Sequence, residues 1–438
     1  MSNSYRTAPC QTLCTARAAT HQAKSSATFW ALQLLALIAA TLLFAATPAR
    51  GATTVSGQTD GGAFYQIVVP DAWNGDLMIW NHGFELGSPG PVDGLEDQFF
   101  FQLLEGYAVA ASSFRLNGWA LFKTNSDLKA LVREFEAAFG PPGRIIISGA
   151  SLGGIVTAAA LEKANLGNVV GALTYCGAMA GSRNWNAALD LRLLYDLTCA
   201  GMKGAEIPGG AAGLPKGSTW TRANVEAAVN ACTGLDIKRS RRSRRQKTNL
   251  KRLTKVGRIP KSFVHTVMWY ATLGMSDLVH DRGKLKGKIG VGNDSVDYGN
   301  KQVNQTIDRI KPRKRAARKL SRSFTPKGRV GDVKIVSIHT DGDGLVVVEN
   351  LGEYESVVAE ENLTSAVVVE KKPSHCLFDP AEILAAWTAL RDWIDGGPQP
   401  TAADIQAECN SWRAAIGGQC RFDPGFKIPP FYSRVRPR

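Results

Sequence analysis

The sequence predicts an α/β chain: a mostly parallel sheet flanked by helices, interrupted by a large insertion. Three observations carry this. The apolar run Arg144–Ser148 passes through Gly149-Ala150-Ser151-Leu152-Gly153 straight into the helix-like stretch Gly154–Glu162. Short apolar runs near 64–70, 76–81, 107–112 and 169–175 surround it, and further runs at Val333–Ile338 and Ser365–Glu370 follow much later. Between the two blocks, residues 177–328 differ sharply in composition from the rest.

The first block contains an amphipathic helix over Ser126–Phe139, with Leu128, Leu131, Val132 and Phe135 on one face. The turn at Ser151 then becomes informative. A strand-to-helix turn this tight leaves no room for side chains two positions either side of its apex. It pushes Ser151 Oγ out of the sheet over a helix N-terminus. Ser151 is therefore the candidate nucleophile, and it needs a histidine to take its proton and a carboxylate to orient that histidine.

The chain has six histidines: His21, His82, His265, His280, His339 and His375. The run Val333–Ile338 leads into His339-Thr340-Asp341-Gly342-Asp343-Gly344-Leu345-Val346, which offers two acids on a post-strand loop. The next run, Ser365–Glu370, leads to Ser374-His375-Cys376 and a helix from about Asp379 to Trp393. His375 is the only histidine beyond both aspartates, which makes it the base when the order is Ser, acid, His. The residues alone leave Asp341 and Asp343 both open as the acid. A calcium loop beginning at Asp341 fails, because its twelfth position is Gly352 rather than a glutamate.

Taken together, "NHGF", "GASLGG", "HTDGDGLV" and "HCLFDPAEILAAWTALRDWI" resemble the α/β-hydrolase superfamily, specifically secreted bacterial esterase-like members. The resemblance covers roughly Gly62–Trp393 apart from the insertion. It implies the α/β-hydrolase fold, mostly parallel sheet flanked by helices, with a large cap insertion between the sixth and seventh strands. It implies Asp343 as the acid, leaving Asp341 a turn residue. The oxyanion hole needs one N–H from the residue after the nucleophile, Leu152, and one from an early loop. The resemblance puts the second at Phe84, in Asn81-His82-Gly83-Phe84, with His82 propping that loop rather than acting as a base. The implied activity is carboxylic ester hydrolysis. Amide or peptide hydrolysis uses the same groups, and a non-catalytic anion-binding surface protein is the reading from a different class.

Residues 1–51 read as a signal peptide. Arg6, Arg17, Lys24 and Arg50 are unopposed by any acid, and Phe29–Thr47 is almost wholly apolar. Export to the periplasm or medium follows, with membrane attachment only if the segment stays uncleaved. The hydrolase core then comprises 52–176 and 329–438, the latter including a C-terminal tail. Six cysteines remain in the mature chain, and an even number in an exported protein suggests disulfides. Six cysteines allow fifteen pairings. Cys176 and Cys376 both belong at the active-site edge of the sheet, where a bridge between them would fix the histidine loop, and Cys199–Cys232 and Cys409–Cys420 would then be the local pairs. With no Cys-x-x-Cys and no His-x-x-x-His, no metal or other cofactor is expected.

The insertion carries 31 Lys and Arg against 10 Asp and Glu, or +21 within a chain of +14. Its charge is concentrated at Lys238–Lys247 and Lys311–Lys319. Such a field suits a polyanion, or is simply a solvated face. Aromatics are too sparse beside it for specific nucleic-acid binding. Asp294–Asn304 is polar and turn-rich and is a candidate for the pocket rim. Trp119, Phe122, Trp185, Trp220, Trp269 and Tyr270 are candidate pocket aromatics.

Overall fold

The computed structural model describes residues 51–438. The expected signal segment therefore lies, but for Gly51, outside the described residues. Gly51–Arg438 forms one compact unit built on an eight-stranded sheet in the order β1-β2-β4-β3-β5-β6-β7-β8. The strands are β1 (Ala52–Gln58), β2 (Phe64–Pro70), β3 (Asp76–Asn81), β4 (Ala108–Ser112), β5 (Arg144–Ala150), β6 (Val169–Tyr175), β7 (Lys334–Thr340) and β8 (Leu363–Val368). From β4 across to β8 every pairing is parallel, and β2 alone runs against the rest. This order and sense are those of the α/β-hydrolase fold. The central strands β3 to β7 are buried almost throughout, which is why they read as continuous apolar runs rather than as alternating ones.

The first strand was not anticipated from sequence. β1 is an edge strand exposed along most of its length, so it carries no apolar periodicity to detect. β8 begins and ends two residues earlier than the apolar run suggests. Leu363 already pairs with Ile335, whereas Val369 and Glu370 leave the ladder to bond Arg421 O and the Asp341 carboxylate. β5 runs on to Ala150, because Gly149 and Ala150 pair with Thr174 and Tyr175 of β6.

Helices α1 (Thr124–Phe139) and α2 (Leu152–Lys163) cover one face of the sheet. Helices α7 (Pro380–Ile394) and α8 (Ala402–Ile416) cover the other, where Cys409–Cys420 ties the middle of the second to its following loop. The insertion between β6 and β7 is helical. It includes α3 (Arg183–Cys199), α4 (Arg222–Thr233), α5 (Arg244–Val256) and α6 (Lys314–Phe324). Its buried Trp185, Leu193 and Val229 share one apolar cluster with Leu128 and Val156 of the sheet-covering helices, so its core is continuous with that of the sheet. Cys199–Cys232 joins α3 to α4.

The basic clusters are not uniformly solvated. Arg242 is buried, and its guanidinium donates to the carbonyls of Gly234 (2.6 Å), Leu235 and Ile237 (both 3.0 Å), just past the end of α4. Arg245 donates to Ala200 O at 2.6 Å. Ser243 and Gln246 form a capping box that starts α5. In α6, Ala316, Leu320 and Phe324 face inward at i, i+4, i+8 spacing, leaving the basic residues on the other side.

Candidate active site

β5 ends at Ala150 and α2 begins at Leu152, with Ser151 between them at φ 55° and ψ −114°. A side chain rarely tolerates that backbone region, so the turn is strained and must be held from outside. Ser151 N donates to Tyr175 O at 2.9 Å, and Ser151 O accepts from Ala178 N at 3.1 Å, so the end of β6 clamps it. The flanking glycines are sterically required. A Cβ on Gly149 would collide with Gly153 O, and one on Gly153 with Asn81 O.

His375 Nε2 lies 2.9 Å from Ser151 Oγ. Its Nδ1 lies 2.6 Å from Asp343 Oδ2. The Asp343 side chain is fully buried, and its Oδ1 accepts from Leu345 N (2.8 Å) and Val346 N (3.0 Å). Its second oxygen is therefore left to the histidine, which is drawn into the tautomer with the proton on Nδ1. Nε2 is then an acceptor facing the serine hydroxyl. Asp341, the other acid of this loop, instead accepts from Glu370 N at 2.8 Å and does not reach His375. The histidine loop is fastened next door by Cys176–Cys376, which spans 200 residues of chain with a Cα–Cα distance of 5.4 Å. The three bridges pair the cysteines as the sequence reading expected.

The loop after β3 passes over Ser151. A Cβ built on Gly83 would come within 3.7 Å of Ser151 Cβ. Phe84 follows and lines the same cleft as Ser151 and Leu152. Among the described residues, neither Phe84 N nor Leu152 N donates to a protein acceptor. His82 props this loop: its Nδ1 is 2.8 Å from Gly83 O, and its ring stacks on buried Phe114 at 4.7 Å. The Phe84 ring packs against Trp119, Trp269 and Tyr270 with centroids 5.0, 5.9 and 5.1 Å away.

From Ser151 a mostly apolar cleft of about 1030 Å³, open mouth included, runs between the sheet edge and the insertion. Of the anticipated aromatics, Trp119 and Tyr270 line it, while Phe122 and Trp185 pack into the core. Tyr298, from the polar segment anticipated as rim, lines it too. Sequence reasoning missed its charged lining: Asp190 of α3, Arg258 after α5, and Arg434 and Arg436 of the C-terminal tail. The one signal available was the alternation of arginines in Arg434-Val435-Arg436-Pro437-Arg438.

His339 is fully buried at the end of β7, and burial holds its pKa below the ordinary histidine value against the pull of Asp343. Among the described residues, the one group of three potential metal ligands is Cys176, His375 and Cys376. Two of these are joined in a disulfide and offer no thiolate.

No protein-family model matches the chain, and no curated protein matches its sequence. Solved structures with similar folds include an esterase from Pyrococcus furiosus, at 12% identity over 84% of this chain and 90% of that one, with a TM-score of 0.35. Lipase A from Candida antarctica in its closed state shares 13% identity over 86% and 93% of the two chains, with a TM-score of 0.38. Dipeptidyl peptidase 4 from Porphyromonas gingivalis shares 10% identity over 82% of this chain but 37% of its own length, with a TM-score of 0.40. At such overlap these likenesses decide nothing about the reaction. The strand order, the reversed β2 and the strained serine turn at the end of β5 identify the architecture, and the chain has the α/β-hydrolase fold.

Proposed function

We propose that the protein is an exported serine hydrolase that cleaves carboxylic esters through an acyl-enzyme. The observation that carries this reading is the unbroken hydrogen-bonded line Ser151–His375–Asp343 at the mouth of an apolar cleft. Ser151 Oγ attacks the acyl carbon while His375 Nε2 takes its proton. The oxyanion forms against the N–H groups of Phe84 and Leu152, each worth on the order of 3 kcal/mol in the transition state. Collapse expels the alcohol, which leaves with the proton now on Nε2. Water then attacks the acyl carbon by the same route, releasing the acid and restoring Ser151. Asp343 orients His375 and stabilises the imidazolium. Three disulfides and an apolar leader support export, and among the described residues no helix is long and apolar enough to cross a membrane.

The test is covalent. A fluorophosphonate probe should attach to Ser151, and Ser151→Ala should lose both labelling and turnover. Ester turnover that survives in the alanine variant would remove Ser151 from the mechanism. A matched panel of esters and amides separates ester from amide hydrolysis, because the same groups serve both.

A further inference from the structure

The cleft holds more positive charge than the protein itself uses. Arg436 is spent: its guanidinium donates to Asp297 O (3.1 Å), Val256 O (2.6 Å) and Tyr298 O (3.0 Å). Arg258 holds Ser433 O at 2.9 Å. The Asp190 carboxylate is satisfied by Tyr298 OH at 2.8 Å and by Arg438 at 3.0 and 3.1 Å. Arg434 is different. It lines the same cleft as Ser151, yet among the described residues its guanidinium has no hydrogen-bond or ion-pair partner. Burial holds its pKa below the ordinary arginine value. Glu349 favours its charge and Arg258 opposes it, and neither touches it. A half-buried guanidinium without a partner is costly, and an anion reaching it recovers that cost.

The cleft that holds both Ser151 and this cation is otherwise lined mainly by apolar side chains, Leu191, Leu194, Ile259 and Val267 among them. Taking Ser151 as the nucleophile, on which this inference rests, we infer that the cleft selects esters whose apolar chain ends in a carboxylate, and that Arg434 binds that carboxylate. A carboxylate matches the Arg434 guanidinium, one negative charge to one cation with two parallel bonds.

The test presents the carboxylate from either side of the ester. Monomethyl suberate against dimethyl suberate carries it on the acyl chain. 8-Acetoxyoctanoate against its methyl ester carries it on the alcohol. In at least one pair the acid should have the higher kcat/KM at low salt. Arg434→Gln should cut the acid-to-neutral ratio by about tenfold or more, the size of a lost charge-assisted hydrogen bond. Arg434→Lys should retain most of it. A ratio that Arg434→Gln leaves unchanged in both pairs overturns the inference. Calorimetric binding of the two acids to the Ser151→Ala protein separates this from the hydrolase reading. Binding that depends on Arg434, with no ester turned over by the parent protein, sinks the hydrolase reading and leaves the carboxylate site standing. Turnover of the esters, with acid binding indifferent to Arg434→Gln, does the reverse.

Discussion

Replacing Asp343 by asparagine should disable the protein without unfolding it, and the surrounding hydrogen bonds dictate why. The new amide is the same size, but it has one acceptor and one donor end. Oδ1 of Asp343 accepts from the N–H groups of Leu345 and Val346 at 2.8 and 3.0 Å, so the amide oxygen must stay there. Turned the other way, the NH₂ group would face two buried donors. At about 1–3 kcal/mol for each unmet donor, that orientation costs roughly 2–6 kcal/mol. The NH₂ therefore points at His375 Nδ1, 2.6 Å away in the parent. Nδ1 must then accept, which moves the ring proton to Nε2. Nε2–H now faces Ser151 Oγ and cannot take its proton. The expected loss in kcat is about 10⁴-fold, or roughly 5.5 kcal/mol of transition-state stabilisation. Asp341→Asn is the control. Its carbonyl oxygen can still accept from Glu370 N, so kcat should stay within about threefold. The assay is steady-state turnover of a small neutral ester, with melting temperatures to show that both variants are folded. A folded Asp343→Asn protein within tenfold of the parent, or the reverse ranking of the two variants, would refute the reasoning.

Two further outcomes are expected. Changing Cys176 and Cys376 together to serine removes a link across 200 residues, which chain entropy values at up to about 5 kcal/mol. Both melting temperature and turnover should fall, and unchanged turnover would show that the bridge does not hold His375 in place. His339 stays neutral in the folded protein while the unfolded chain takes a proton near its ordinary pKa, so the unfolded state binds more protons below about pH 6.5. Unfolding free energy should therefore drop as pH falls from that point, by up to about 1.4 kcal/mol per pH unit from this residue, and His339→Asn should flatten the slope. An identical slope in the variant would assign the acid sensitivity elsewhere.

Much of the sheet was legible because its strands are buried on both faces and so read as uninterrupted apolar runs. β1 was not, since an exposed edge strand needs no apolar pattern to pair with Phe64–Pro70. The limits of β8 were misjudged because Val369 is apolar yet bonds a loop, and only its partner at Arg421 reveals that. The basic run Lys238–Lys247 looked like a single solvated surface. The fold instead buries Arg242, because the carbonyls after α4 need a donor and a guanidinium can serve three of them at once.

The sequence by itself determined the chemistry available. The glycines around Ser151 allow a sharp strand-to-helix turn that larger residues would block, and a single histidine follows the two aspartates. The cysteines near the strand ends suggested a bridge, and the structure pairs them. These are local constraints of sterics and chain order, so they survive without coordinates. The tertiary structure decided what depends on distant segments meeting. It gave Asp343 two loop N–H groups and a histidine while assigning Asp341 to Glu370. It also brought the C-terminal tail back across the insertion, so that Arg434 lines a cleft with Ser151, almost three hundred residues earlier. No local pattern encodes that contact, because it arises from the packing of the tail against α3 and α5 and from the hydrogen bonds that hold Arg436 and Arg438 there.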